Sequence, residues 1–158
     1  MDNAARRLAT YLLLLAIQTM AACVLFRTVF PLFQQLVAHS GTPQPVRLSA
    51  AATAMVAALV MQACYWTRYL YVPVRAPLHG AVIGHVVLFA SRISFFFSGA
   101  VFSAIFFRHV PQLDVLPPLG QGLARALVVM LLLFASFCYA LELERLGRAI
   151  EASDRRAA

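Results

Sequence analysis

Four long apolar segments constrain what this chain can fold into more than any other feature of its sequence. They cover residues 8–26, 48–66, 80–107 and 123–141. Each is close to or above the roughly 20 residues that a helix needs to cross the hydrocarbon core of a bilayer. Lipid offers no hydrogen-bond partner for the backbone, so a spanning helix satisfies its own N–H and C=O groups. The sequence therefore predicts an all-α integral membrane protein, a single domain over residues 1–158 built as a bundle of four transmembrane helices.

The composition also indicates that lipid surrounds the chain. Of its 158 residues, 62% are hydrophobic and 12% are charged, whereas soluble domains carry roughly 25% charged residues. The formal net charge of +7 would suggest nucleic acid as the partner of a soluble protein. Here the arginines mostly flank the apolar segments, which is the pattern of membrane orientation. The expected partners are therefore membrane lipids, and nucleic acid is not expected.

The distribution of arginine predicts which way the chain crosses the membrane. The N-terminal segment, a predicted loop at residues 67–79 and the C-terminal tail 142–158 together hold eight arginines, against four on the opposite side. The positive-inside rule then places both termini in the cytoplasm. Every positive charge is an arginine and none is a lysine, which we interpret as the codon bias of a bacterial genome. The predicted location is the bacterial inner membrane.

The third span carries an arginine, Arg92, in the middle of its apolar run. On a helical wheel at about 100° per residue, Arg92 shares a stripe with His85, Gly99 and Ser103. A second face is small and hydroxyl-bearing, which favours close helix packing. Its members are Gly80, Gly84, Ser91, Ser94 and Ser98. The second span begins "LSAAATAMVAA" and is expected to approach its neighbours closely for the same reason.

A charge at that depth requires a partner, because an arginine at the bilayer centre costs about 2.5–3.5 kcal/mol on insertion scales. None of the six acids falls inside a predicted span. The best partner within the chain is Gln18 in the first span, with Gln62 of the second span closer to the cytoplasm. Three interpretations remain open. Arg92 orders the bundle through Gln18, carbonyls and water; it meets an anion on another polypeptide; or it binds a ligand, a lipid headgroup or lines a water-filled path.

Two segments outside the spans are predicted to be helical. Residues 27–41 form either a short amphipathic surface helix or an extension of the first span. The tail 142–158 is expected to continue the fourth helix, supported by Glu144 and Arg148 four residues apart and opposed by Gly147. Its narrow apolar stripe indicates either a solvated helix or a docking helix for a partner. That stripe consists of Leu143, Leu146 and Ile150.

Cofactor chemistry has weak support in this sequence. Cys64, Cys138 and His85 fall at similar estimated depth and are donor types that bind zinc or copper. However, there is no CxxC and no paired-histidine motif, so neither a metal nor another cofactor is expected. The chain also lacks a recognisable nucleophile–base constellation or phosphate-binding loop. Catalysis is therefore not favoured, although a lipid enzyme can have scattered residues.

The leading functional prediction is a small non-catalytic subunit or assembly factor of a larger inner-membrane protein complex. Such a subunit would associate through small-residue helix faces and Arg92. The first alternative is a homo-oligomeric channel or carrier for a small solute, with the Arg92 stripe in contact with water. The second alternative is a small membrane enzyme or binding protein for a lipid or quinone, with Arg92 holding its anionic group.

Overall fold

Four long helices make up the chain in the computed structural model, which describes residues 3–38, 47–72, 80–109 and 119–157. They are α1 (Asn3–Ala38), α2 (Leu48–Tyr71), α3 (Ala81–His109) and α4 (Leu119–Ala157). Each contains a stretch long and apolar enough to cross a membrane. The predicted four-helix membrane bundle is thereby confirmed. All four helices run past the ends of the predicted spans: α1 continues to residue 38, α2 to 71, α3 to 109 and α4 to 157.

The first helix is continuous through the segment predicted to be amphipathic. α1 reaches Ala38 with Pro31 inside it. A proline inside a membrane helix is tolerated because local adjustments and neighbouring groups satisfy the freed carbonyl. Residues 27–38 therefore extend the first span, and a separate surface helix there is wrong.

The bundle is assembled from two helical hairpins. α1 packs along α2, α3 packs along α4, and the two hairpins meet mainly where α2 contacts α4, while α2 and α3 do not touch within the described residues. The core of this junction is made of small residues, which lets the helix backbones approach closely. It consists of Ala21 and Leu25 of α1, Ala54, Ala57, Ala58 and Met61 of α2, and Ala135 of α4.

One face of α3 points away from the bundle. Its large apolar side chains are exposed, as expected for a surface in contact with acyl chains. They include Val82, Val86, Phe89, Ile93 and Phe96. The opposite face of α3 lies against α4, so this helix forms one outer wall of the bundle.

The C-terminal part of α4 belongs to the bundle and is not a solvated tail. Leu143, Leu146 and Ile150 are all buried. Leu146 and Ile150 pack with Tyr11 of α1, beside half-buried Val87 of α3. Because this stripe is covered by the same chain, both earlier interpretations, a solvated helix and a free docking helix, are wrong. The predicted pair on the outer side is present, with Glu144 Oε1 accepting from Arg148 at 2.5 Å.

Candidate functional site

An arginine predicted to lie in a loop is buried in the interior of the bundle. Arg68 is in the last turn of α2, and its backbone carbonyl accepts a hydrogen bond from the N–H of Val72 at 3.0 Å. Only 1% of Arg68 is exposed. The loop assignment of residues 67–71 is wrong because α2 remains helical to Tyr71, which turns Arg68 toward α1 and α4.

Its carboxylate partner comes from α4. Glu142 is 1% exposed, and its Oε1 lies 3.6 Å from Arg68 Nη1. The same oxygen accepts a hydrogen bond from the Tyr11 hydroxyl of α1 at 3.0 Å. The other carboxylate oxygen lies 3.9 Å from Nη1 of Arg145, a half-exposed residue on the next turn of α4. An acid assigned to the edge of the tail is therefore inside the protein, contrary to the prediction.

The buried glutamine of α1 completes this arrangement. Gln18 is fully buried, and its Oε1 accepts a hydrogen bond from Arg68 Nη2. The Arg68 guanidinium carbon also lies 5.4 Å from the centre of the Tyr11 ring. We call Tyr11, Gln18, Arg68 and Glu142 the central cluster. In this structure Gln18 is the hydrogen-bond partner of Arg68 and not of Arg92.

The central cluster is close to neutral but not fully satisfied. Gln18 Nε2, Arg68 Nε, Arg68 Nη1 and Glu142 Oε2 are buried without a hydrogen-bond partner among the described residues. Removing ions from water is costly, and the attraction between them offsets that cost only when the remaining polar atoms are well satisfied. The cluster therefore holds α1, α2 and α4 in one arrangement. Its net contribution to the free energy of unfolding is expected to be small.

A periodic signal in the sequence leads to both buried charges. The buried positions of α2 recur every three or four residues, from Ala54 and Ala58 through Met61 to Arg68. The same spacing in α4 joins Ala135 and Cys138 to Glu142 and then to Leu146 and Ile150. Hydropathy alone does not detect this signal, because each apolar run ends just before its charged residue.

Arg92 of α3 does not take part in the central cluster and is exposed. It makes no ion pair or hydrogen bond with any residue that the structure describes. Eight residues separate it from Ala100, the end of the candidate span in α3, which is about 12 Å of helix. Arg92 is therefore a charge directed outward from the middle of an apolar helix.

The other members of the predicted stripe are exposed with it. His85 is 74% exposed, and its Nδ1 lies 3.1 Å from Oε1 of Glu151 on α4. Gly99 and Ser103 are exposed as well, and a Cβ added at Gly99 would meet no atom within 4 Å. We call His85, Arg92, Gly99 and Ser103 the α3 stripe. It runs along the outer surface of the bundle and does not line an interior space of a single copy.

The predicted packing residues divide into three roles. Gly84 is buried against α4, and the Ser91 hydroxyl donates to the carbonyl of Ala140 in α4 at 2.7 Å. Ser94 and Ser98 donate back to carbonyls of α3 itself. Gly80 precedes the helix with φ +138°, a conformation that favours glycine. Gly80 and Gly84 therefore do not act together as a GxxxG packing pair.

The weak metal candidates do not form a site. Gln62 Nε2 donates to Cys138 Sγ at 3.8 Å, Cys64 is buried on α2, and His85 is on the outer surface with Glu151. Within residues 3–38, 47–72, 80–109 and 119–157, no three histidine, cysteine or acidic side chains are grouped as metal ligands would be. Nothing in this part of the chain brings the three candidates together.

No protein-family model, curated protein or solved structure matches this chain. Function must therefore be argued from its own residues. Among the described residues, the central cluster is directed into the bundle, whereas the α3 stripe carries a charge directed away from it.

Proposed function

We propose that this chain is a non-catalytic accessory or assembly subunit of a larger membrane protein complex. The α3 stripe is its contact surface for the partner. One observation carries the proposal: Arg92 is exposed in the middle of an apolar helix, without an ion pair to any described residue. Ionisable residues within membrane spans mark functional sites by default.

The ion pairs that other charged residues form within the chain support this proposal. Arg68 is neutralised by a carboxylate on a neighbouring helix. Two other acids of α4 also have basic partners in the same chain, since Glu144 contacts Arg148 and Glu151 contacts His85. A carboxylate on a partner helix would neutralise the charge of Arg92, as Glu142 neutralises that of Arg68.

We further propose that the protein lies in a bacterial inner membrane with both termini in the cytoplasm. The arginine asymmetry of the sequence supports this orientation.

Native mass spectrometry of protein extracted with its surrounding membrane tests the proposed function. The wild type should carry a second protein, and Arg92→Leu should lose it while remaining inserted with an unchanged unfolding temperature. Arg148→Leu is the matched control, because Arg148 is also exposed but is paired with Glu144 on its own chain. Retention of the partner by Arg92→Leu would overturn the proposal, and so would a wild type that never carries one.

A further inference from the structure

We infer that the partner at the α3 stripe is a different polypeptide whose transmembrane helix presents a carboxylate to Arg92, and that the stripe rejects a second copy of this chain. The inference rests on the proposed function, because it takes the stripe as the contact surface. It adds the chemistry of the partner and the reason why self-association fails.

Symmetry excludes a two-fold pair through this face. Copies of a membrane protein insert in one orientation, so the axis of a symmetric dimer runs along the membrane normal. In such an interface the same patch is used by both subunits, and equivalent residues near the axis meet at equal depth. Arg92 would then face Arg92 of the second copy. Like charges placed opposite each other act against an unwanted partner.

A head-to-tail contact between copies requires an outward acid at the depth of Arg92. The bond from Ser91 to the Ala140 carbonyl places Arg92 near the level of Ala140. The nearest acid in sequence there is Glu142, which is buried and faces Arg68. The next, Glu144, is half-buried and accepts a hydrogen bond from Arg148. Both are engaged, so neither offers Arg92 a free carboxylate.

The remaining acids lie away from this level. Glu151 is beside His85, which is seven residues and about 10 Å of helix from Arg92. Asp154 lies farther along α4. Asp2 and Asp114 lie outside the residues that the structure describes. The part of the chain that the structure describes therefore holds no free outward carboxylate at the right depth to pair with Arg92 of another copy.

The side chains of the α3 stripe indicate which residues a matching partner helix carries. Gly99 leaves open space where a side chain would be, so a partner helix can approach α3 most closely there. Arg92 is seven residues away on the same face, and the exposed hydroxyl of Ser103 is one turn beyond Gly99. The matching helix carries a small residue opposite Gly99 and an aspartate or glutamate about two turns away, opposite Arg92.

Charge reversal tests this inference without knowledge of the partner. Two differently tagged full-length copies, both with Cys23→Ser and Ser103→Cys, are co-expressed in one host membrane and oxidised. Cys64 and Cys138 are buried and do not interfere. Two Arg92 copies should give little disulfide-linked dimer. An Arg92 copy with an Arg92→Glu copy should give about tenfold more or better, since the pair then has opposite charges.

The control moves the new cysteine off the stripe. Leu127→Cys, at an exposed position of α4, should give no difference between the same-charge and mixed pairs. Equal cross-linking of same-charge and mixed pairs at residue 103 would overturn the inference, and so would a mixed pair that fails to cross-link.

The two failures can be told apart. If the wild type forms an Arg92-dependent homo-oligomer in native mass spectrometry, the inference is wrong. The α3 stripe would still be an association surface in that case. Absence of any Arg92-dependent association sinks the proposed function itself.

Discussion

Gly84 of α3 and Gly147 of α4 lie against each other, each with its backbone carbonyl where the other's side chain would be. The Gly147 oxygen is 3.3 Å from the position of a Cβ on Gly84, and the Gly84 oxygen is 3.2 Å from that of a Cβ on Gly147. A glycine inside a helix costs roughly 1 kcal/mol relative to alanine. At Gly147 that cost is offset by the close approach of two membrane helices.

A large side chain at this contact should separate α3 from α4. In Gly147→Leu, the new Cβ would lie 2.8 Å from Cγ of Leu88. We expect the purified variant in detergent to lose about 1–3 kcal/mol of unfolding free energy through overpacking, visible as a lower thermal midpoint. Gly99→Leu is the control, since nothing is near that position, and it should unfold like the wild type. Equal midpoints for the two variants would show that the glycine contact is not needed.

Removing Glu142 should destabilise the protein more than any surface change. Glu142→Leu leaves the guanidinium of Arg68 buried without its carboxylate, and breaking a buried pair in this way costs about 3–5 kcal/mol. Equilibrium unfolding in a denaturing detergent measures the loss. The matched control is Glu144→Gln in the partly exposed pair with Arg148, where about 1 kcal/mol or less is expected. Similar losses in both variants would contradict the central cluster.

The double variant Arg68→Met with Glu142→Leu should recover much of that stability. Replacing both members of a buried ion pair with apolar residues of similar volume is often neutral or stabilising. Unfolding of the two single variants and the double variant, compared as a cycle, isolates the coupling between Arg68 and Glu142. Additive losses would mean that the two side chains act independently.

The hydrogen bond from Ser91 to α4 should contribute measurably to the packing of α3. Ser91→Ala removes a donor 2.7 Å from the Ala140 carbonyl, and interhelical bonds in membranes contribute about 0.6 kcal/mol on average, up to 1.7. Ser94→Ala removes only a bond to its own helix, at Ala90. The midpoint of thermal unfolding should fall for the first variant and stay near the wild type for the second. The reverse order would place α3 in a different rotation against α4.

Truncating Ile150 tests whether the C-terminal part of α4 is structural. Ile150 is 1% exposed and packs with Tyr11 and Leu146, so Ile150→Ala should cost about 2–5 kcal/mol. Leu123→Ala, at an exposed position of the same helix, should change stability by less than about 0.5 kcal/mol. Denaturant unfolding of both variants gives the comparison. An Ile150→Ala protein as stable as the wild type would return residues 142–157 to the role of a solvated tail.

The sequence alone was sufficient for the class of fold and for the outer face of α3. Hydropathy averaged over a window is a local property, so it identifies four spanning helices without knowledge of what each contacts. The period of the α-helix is local too, and it groups His85, Arg92, Gly99 and Ser103 on one face of α3, where the structure leaves all four exposed.

Only the tertiary structure decided which charges lie inside. Arg68 and Glu142 are far apart in the chain, and each sits at the end of an apolar run, where hydropathy indicates solvent. They become buried because α2 and α4 continue past those ends and turn both side chains toward α1. Whether Gln18 bonds to Arg92 or to Arg68 also depends on how the four helices are arranged around each other. Pairings of this kind are set by contacts between distant segments, which no window along the chain contains.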